Sequence, residues 1–171
     1  MNARAFIALA FALALSGCGF RPLYGSYGAD PGGQRVFATI YVAPIELERA
    51  GYELRNSLID ILEASANPQN AIYQLNVKLN EKSEGIALNT TGSVTRYNYT
   101  LTAHYELMDA RKGVMLVQGD ESTLSAYNVV TSPYATLIAK QDAQKRAATD
   151  IAERLRLDLG VYFARRAREP R

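Results

Sequence analysis

The single cysteine and the single histidine limit the reactive sites that this sequence could form. Cys18 and His104 are the only residues of their types among 171. One cysteine excludes an intramolecular disulfide, and the pair excludes a zinc site built from several cysteine or histidine ligands. The sequence also lacks a nucleophile elbow, a phosphate-binding loop and a zinc-protease motif. We therefore expect no catalytic residue, no metal and no cofactor, and hence not an enzyme.

Cys18 directly follows an apolar segment that is typical of a bacterial secretion signal. The run AFIALAFALAL from Ala5 to Leu15 follows one cation, Arg4. As a helix this run would reach about 16 Å, which is too short for a hydrocarbon core of about 30 Å. Residues 15–18, Leu-Ser-Gly-Cys, resemble a lipobox, in which the cysteine thiol receives a diacylglycerol and the preceding peptide is removed. We predict a lipoprotein signal peptide over residues 1–17 and lipid attachment at Cys18; a plain signal peptide with a chance cysteine is the alternative.

The residues after the cysteine are predicted to connect the lipid to a folded domain. Residues 18–35 are rich in glycine and have no periodicity, which favours a lipidated tether. Two or three acyl chains would hold the protein at a membrane almost permanently. Gly19 occupies the position where aspartate typically retains a lipoprotein in the inner membrane. We therefore expect a protein that is lipid-anchored in the outer membrane and faces the periplasm.

The pattern of apolar residues from position 36 to 166 predicts one α+β domain. Hydrophobic residues make up 48% of the chain and charged residues 21%, as in ordinary folded domains. The predicted elements are a strand over 36–42, a helix over 46–65, a strand over 72–81, a loop over 82–92, a long strand up to residue 107, a strand over 114–127, and a helix from the Ser132-Pro133 start to about residue 165. This β-α-β-β-β-α order predicts a two-layer sandwich, a four-stranded mixed sheet with two helices on one face. Residues 167–171 form a basic tail.

Alternation in the long strand predicts one apolar and one polar face of the sheet. The apolar face carries Tyr97, Tyr99, Leu101, Ala103, Tyr105 and Leu107, and the other carries Arg96, Asn98, Thr100, Thr102, His104 and Glu106. Both helices have apolar stripes that could cover the first face, and the stripe of the second helix runs from Leu137 and Ile138 to Tyr162. The polar face suits either free solvent or a wet partner surface such as the lumen of a β-barrel. His104 is expected to be an exposed strand histidine.

The charge of the chain is small and spread out. Lys and Arg number 19, and Asp and Glu 17, for a net charge of +2. So weak a balance does not indicate nucleic-acid binding. The cations, among them Lys82, Arg96 and Lys140, could meet phosphate groups or could be ordinary surface residues, and the pattern leaves both open.

Several features taken together are similar to one family. The chain combines the start Cys18-Gly19-Phe20, the element order above, a Ser-Pro-Tyr sequence before a long last helix, and the stretch LIAKQDAQ over residues 137–144. This combination resembles the LptE family of lipopolysaccharide-assembly lipoproteins over the full chain.

The resemblance implies a function without catalysis. LptE proteins are lipid-anchored on the periplasmic side of the outer membrane, plug the LptD β-barrel and help to assemble it. The pair inserts lipopolysaccharide into the outer leaflet, and LptE is thought to bind that lipid through basic residues. The family pattern has one such cation near the start of the second helix, and Lys140 matches it. A second cation of the pattern falls near Thr90 in this chain, where Lys82 and Arg96 are the nearest basic residues.

Two other functions stay open from the sequence. The protein could be a periplasmic lipoprotein component of another lipid-trafficking system, of the ABC or MCE type. It could also be an envelope scaffold that binds only protein.

Overall fold

The computed structural model describes residues 36–65 and 67–168. Cys18, the predicted signal peptide over 1–17, the tether over 18–35 and the last residues of the tail lie outside these ranges. The described elements are a 3-10 turn at Val36–Thr39, strand β1 at Ile40–Val42, helix α1 at Glu48–Leu62, a 3-10 turn at Pro68–Asn70, strands β2 at Tyr73–Leu88, β3 at Val94–Asp109 and β4 at Val114–Asn128, and helix α2 at Pro133–Arg166.

The four strands form one mixed sheet in the order β1-β2-β3-β4. β1 pairs in parallel with β2, from Ile40 opposite Tyr73 to Val42 opposite Leu75. β2, β3 and β4 pair in antiparallel fashion along nearly their whole lengths. The predicted α+β class, with a four-stranded mixed sheet and two helices, is therefore confirmed.

The core lies between the two helices and one face of the sheet. Leu54 of α1 and Leu155 of α2 are both fully buried, as expected for residues in the middle of an apolar stripe. The inward row of β3 is also buried; it consists of Tyr99, Leu101, Ala103, Tyr105 and Leu107. Among the described residues, neither helix has a stretch long and apolar enough to span a bilayer.

Two predicted boundaries near strands are wrong. The predicted first strand is a 3-10 turn over its first four residues, because the Thr39 hydroxyl donates a 2.7 Å hydrogen bond to the Val36 carbonyl and closes the turn. The predicted loop over 82–92 is largely strand, since β2 continues to Leu88 paired with β3. Only the turn around Asn89–Ser93 remains a loop, and the Asn89 side chain accepts hydrogen bonds from the backbone there.

The start of the second helix is also more exposed than its apolar residues predict. Leu137 and Ile138 are 50% and 44% exposed, and the first buried residue of α2 is Ala143. α2 has 34 residues and α1 has 15, so at 1.5 Å per residue α2 is more than twice as long. Because the first turns of α2 bury no side chain, these two residues contact solvent instead of core.

Candidate functional site

A cleft of about 460 Å³ opens between the start of α1, the first turns of α2 and the middle of β2. The start of α1 contributes its N-cap residue Leu47 together with Glu48, Arg49 and Ala50. Helix α2 contributes Leu137, Lys140, Gln141 and Gln144, and β2 contributes Glu81. The cleft therefore brings charged side chains together with one of the exposed leucines.

The backbone at the start of α1 has an unusual conformation. The predicted helix begins at Glu46, but Leu47 has φ +94° and Glu48 φ +27°, so the observed helix begins two residues later. No side chain caps this end of the helix, and its first amides carry partial positive charge. Gly51 allows the close approach, because a Cβ there would lie 2.6 Å from the Ile45 carbonyl oxygen.

The inner wall of the cleft is a buried hydrogen-bonded group. The Tyr99 hydroxyl donates to Glu81 Oε2 at 2.7 Å, and Gln144 Nε2 donates to the same oxygen at 3.2 Å. Burial raises the pKa of the Tyr99 phenol well above its usual value, and the bond to the Glu81 carboxylate raises it further. Strands β2 and β3 and helix α2 are thus joined at the Glu81 carboxylate.

Lys140 is the lining cation that is available to an anion. Arg49, the other cation in the lining, pairs with Glu53 at 3.2 Å on its own helix. Within the described ranges Lys140 forms no ion pair with a carboxylate, and it is partly buried at the cleft. This arrangement suits the binding of an anionic group such as a phosphate.

The other two predicted cations lie on the opposite face of the sheet. Lys82 sits opposite Thr100 in the ladder, and Arg96 belongs to the same polar row of β3. Lys82 pairs with Glu84, and Arg96 donates a 3.1 Å hydrogen bond to Asn128. The structure therefore does not bring Lys82 and Arg96 together with Lys140.

The outer face of the sheet carries short polar side chains that pair across strands. Thr102 and Ser122 are 3.1 Å apart, and His104 Nδ1 lies 2.8 Å from an Asp120 carboxylate oxygen. His104 is partly exposed, in line with its predicted position on the polar face. This surface offers many hydrogen-bonding groups and few unpaired charges.

A second polar seam joins α2 to β3 and β4. The Tyr105 hydroxyl donates to Asp158 at 3.0 Å, and Thr123 donates to Asp150. Burial, followed by the nearby Asp158 carboxylate, raises the pKa of Glu121 above its usual value. No group of three metal-binding side chains occurs in the part of the chain that the structure describes. The seam therefore links α2 to β3 and β4 through side-chain hydrogen bonds.

Sequence reasoning missed two members of the cleft, Glu81 and Gln144. The signal for Glu81 was present, since Tyr73, Leu75, Val77 and Leu79 alternate inward and residue 81 continues that row. A carboxylate at an inward position must find donors. No local pattern identifies Gln144, whose role depends on where α2 crosses the sheet.

The sequence is similar to one protein family and to a protein of another bacterium. The sequence model of the LptE family, described as lipopolysaccharide-assembly, matches residues 37–159. An uncharacterized protein of Rickettsia prowazekii is 25% identical over 153 residues, covering 89% of this chain and 92% of its own.

Two solved structures have a similar fold. A protein of Caulobacter crescentus described as a lipoprotein has a TM-score of 0.65 and 28% identity, covering 79% of this chain and 96% of its own. Rare lipoprotein B of Shewanella oneidensis has a TM-score of 0.54 and 12% identity, covering 74% of this chain and 96% of its own.

Proposed function

Because the chain belongs to the LptE family of lipopolysaccharide-assembly proteins, we propose that it is an outer-membrane lipoprotein that plugs and helps to assemble an LptD-type β-barrel. In this role it takes part in the transport of lipopolysaccharide and in its insertion into the outer leaflet. The observation that carries the proposal is the family match, which spans all four strands and most of α2. The family is non-enzymatic, so the protein is proposed to act by binding, without a cofactor.

The outer face of the sheet supports contact with a barrel lumen. Barrel interiors are polar, and a wet interface needs hydrogen-bonding groups rather than apolar surface. Thr102, Ser122 and Asn98 are short and neutral, so they can face such a lumen without burying an unpaired charge.

The cleft supports contact with lipopolysaccharide. Lipid A carries phosphates, and an attraction between unit charges 4 Å apart is worth about 4 kcal/mol near a protein surface, before desolvation and screening. Lys140 could supply that charge, while the exposed Leu137 and Ile138 on the same helix could contact acyl chains. Lys82 and Arg96, on the other face, would contact a different part of the lipid or the barrel.

The test is affinity purification of the tagged full-length protein from bacterial membranes in mild detergent, with mass-spectrometric identification of what it carries. We expect an outer-membrane barrel of the LptD type. Ser122→Arg puts a charge on the outer face and should reduce barrel recovery several-fold. The matched control is Asn70→Arg, which adds the same charge to an exposed turn away from that face and should leave recovery unchanged.

Two results would overturn the proposal. Recovery of a lipid-transporter complex of the ABC or MCE type, with no barrel, would identify the alternative function. Equal loss of the barrel in both arginine variants would show that the outer face is not the contact surface.

A further inference from the structure

Three segments meet at the end of the domain where the described chain begins, and we call this the basal end. It comprises the turn at 36–39, the hairpin turn at 110–113 and the last turn of α2 at 165–168. The Ala110 amide donates to the Ile72 carbonyl, and the Ile72 amide to the Thr39 carbonyl, each at 2.9 Å. The rings of Phe37 and Phe163 lie 6.1 Å apart. The basal end is thus one continuous surface next to the predicted tether.

This surface carries a cluster of exposed cations. They are Arg111, Lys112, Arg165, Arg166 and Arg168. None of the five forms an ion pair with a carboxylate of the described residues. One acid at this surface, Asp109, accepts hydrogen bonds from the backbone amides of Arg111 and Lys112, and the Lys112 amide is the main cause of its lowered pKa.

Some cations toward the other end of the domain are paired with carboxylates. Lys82 pairs with Glu84 on β2, and Arg146 pairs with Asp142 on α2. Other cations that form no ion pair within the described residues, such as Lys78, Lys140 and Lys145, are spread along the domain. The basal end differs because it gathers five such cations in two short segments, although the whole sequence has a net charge of only +2.

Exposed apolar side chains lie beside these cations. Val114 and Met115, which follow the hairpin turn, are 54% and 48% exposed. On α2, Leu157, Val161 and Arg165 follow at four-residue spacing, and the first two are 57% and 48% exposed. Basic residues next to apolar ones are typical of surfaces that lie in the headgroup region of a bilayer.

We propose that the basal end docks on the anionic phospholipid headgroups of the bilayer that holds the protein's lipid anchor. The inference rests on the proposed function only for the presence of the protein at a membrane. A flexible tether of the predicted length has a root-mean-square span of about 25 Å, so the basal end would stay near the bilayer. Each cation close to an anionic surface should favour the docked state about fivefold.

The test uses the absence of tryptophan from the chain. Val114→Trp gives one indole at the basal end. The full-length variant, purified from bacterial membranes, is reconstituted into vesicles of phosphatidylcholine, with or without about one third phosphatidylglycerol. Brominated phosphatidylcholine in both vesicle types carries its bromines on the acyl chains, so it quenches the indole only where the ring enters the bilayer below the headgroups. We expect at least about twofold stronger quenching with phosphatidylglycerol, and loss of that difference in high salt.

Charge-reversed variants distinguish binding by the basal end from an effect of the protein's total charge. Lys112→Glu/Arg165→Glu, made in the tryptophan background, should remove the effect of phosphatidylglycerol. The matched control Lys78→Glu/Lys145→Glu changes the charge equally, at two exposed lysines away from the basal end, and should retain the effect. A thermal melt checks that each variant folds; if the first does not, the lipid and salt comparisons on the parent still decide.

Two outcomes would overturn the docking surface. One is equal quenching in both vesicle types, and the other is equal loss of the effect in both charge-reversed variants. Neither outcome concerns the barrel partner, which the purification experiment tests alone. Conversely, lipid-dependent quenching in a protein that carries no barrel would leave the docking surface in place and remove the proposed function.

Discussion

Tyr99 and Glu81 occupy diagonal positions of the β2–β3 ladder, and the Tyr99 hydroxyl reaches the carboxylate at 2.7 Å. Tyr99 is fully buried, so its polar atom must find a partner inside the protein. Gln144 donates to the same oxygen from α2. The contact therefore fixes the helix against the sheet at the wall of the cleft.

We predict that the protein loses stability at alkaline pH through its buried tyrosines. Burial raises the pKa of both Tyr99 and Tyr105, whereas tyrosines of the unfolded chain titrate near pH 10. Below about pH 10 the stabilisation that the protonated Tyr99 and Tyr105 contribute is fully present. Above it the unfolded chain binds fewer protons than the folded one, so the free energy of unfolding falls by up to about 1.4 kcal/mol per pH unit for each tyrosine.

Urea titrations between pH 8 and 11 measure this loss. Tyr99→Phe should lower stability at pH 8 by about 1 kcal/mol, because a hydrogen bond is lost, and should make the fall above pH 10 less steep. Tyr52→Phe is the control, since Tyr52 is 66% exposed. An unchanged slope in Tyr99→Phe would contradict the prediction.

Gly51→Ala should destabilise the protein although the residue lies within a helix. In an ordinary helix this change gains about 1 kcal/mol. Here the new Cβ would lie 2.6 Å from the Ile45 oxygen and 2.7 Å from the Glu46 oxygen, so the segment before α1 must move. We expect a loss of about 1–3 kcal/mol in thermal or urea unfolding. A stabilised variant would show that the chain around Leu47 yields without cost.

The secondary structure could be predicted where burial imposes a regular alternation of apolar side chains. It could not be predicted where hydrogen bonds alone hold the chain in place. The inward row of β3 alternates strictly because each second side chain enters the core. The second half of β2, from Lys82 to Leu88, is exposed, so its sequence carries no apolar alternation, and it is a strand only because β3 supplies the ladder. The 3-10 turn at Val36 depends on one threonine hydroxyl that overrides β propensity.

Lys140→Glu should weaken binding of labelled lipopolysaccharide by the full-length protein about tenfold or more at low salt. The change removes an attraction to phosphate and adds a repulsion beside Glu81 and Glu48, which share the cleft. Lys145→Glu is the matched control, with the same charge change at an exposed position of the same helix.

Both variants should melt within a few degrees of the parent, since exposed and partly exposed substitutions cost little. Equal lipid binding by both would make Lys140 an ordinary surface residue. Loss of both lipid binding and barrel recovery in Lys140→Glu would assign the residue to assembly instead.

The cleft itself was only partly predictable. Lys140 was found through a resemblance, and the position of Glu81 follows from strand parity. The pairing of Glu81 with Gln144 joins residues 63 positions apart, and the left-handed Leu47 has no glycine or asparagine to indicate it. Contacts of this kind arise from packing of whole elements and leave no local pattern.

Cys18→Ala should abolish incorporation of a palmitate analogue and leave the protein as a precursor or a soluble form. The reason is that Cys18, the sole cysteine, ends the Leu-Ser-Gly-Cys sequence. Metabolic labelling followed by immunoprecipitation measures the incorporation, with Ser26→Ala as the control. Undiminished label in Cys18→Ala would remove the predicted anchor.

The shortness of β1 has a mechanical consequence. This strand has three residues, pairs in parallel with only the first three of β2, and is the first strand of the sheet in chain order. A pulling force applied from the N-terminal side would load this seam before it reached the long hairpins. We expect the segment from Val36 to Val42 to detach first, which extends the chain by up to about 25 Å while the remaining sheet stays folded. Single-molecule pulling between the N-terminal side and the end of α2 would record a small early step, and rupture in one step would contradict it. The domain would then unfold in stages under tension, and the early detachment of its first strand would relieve the force on the rest of the sheet.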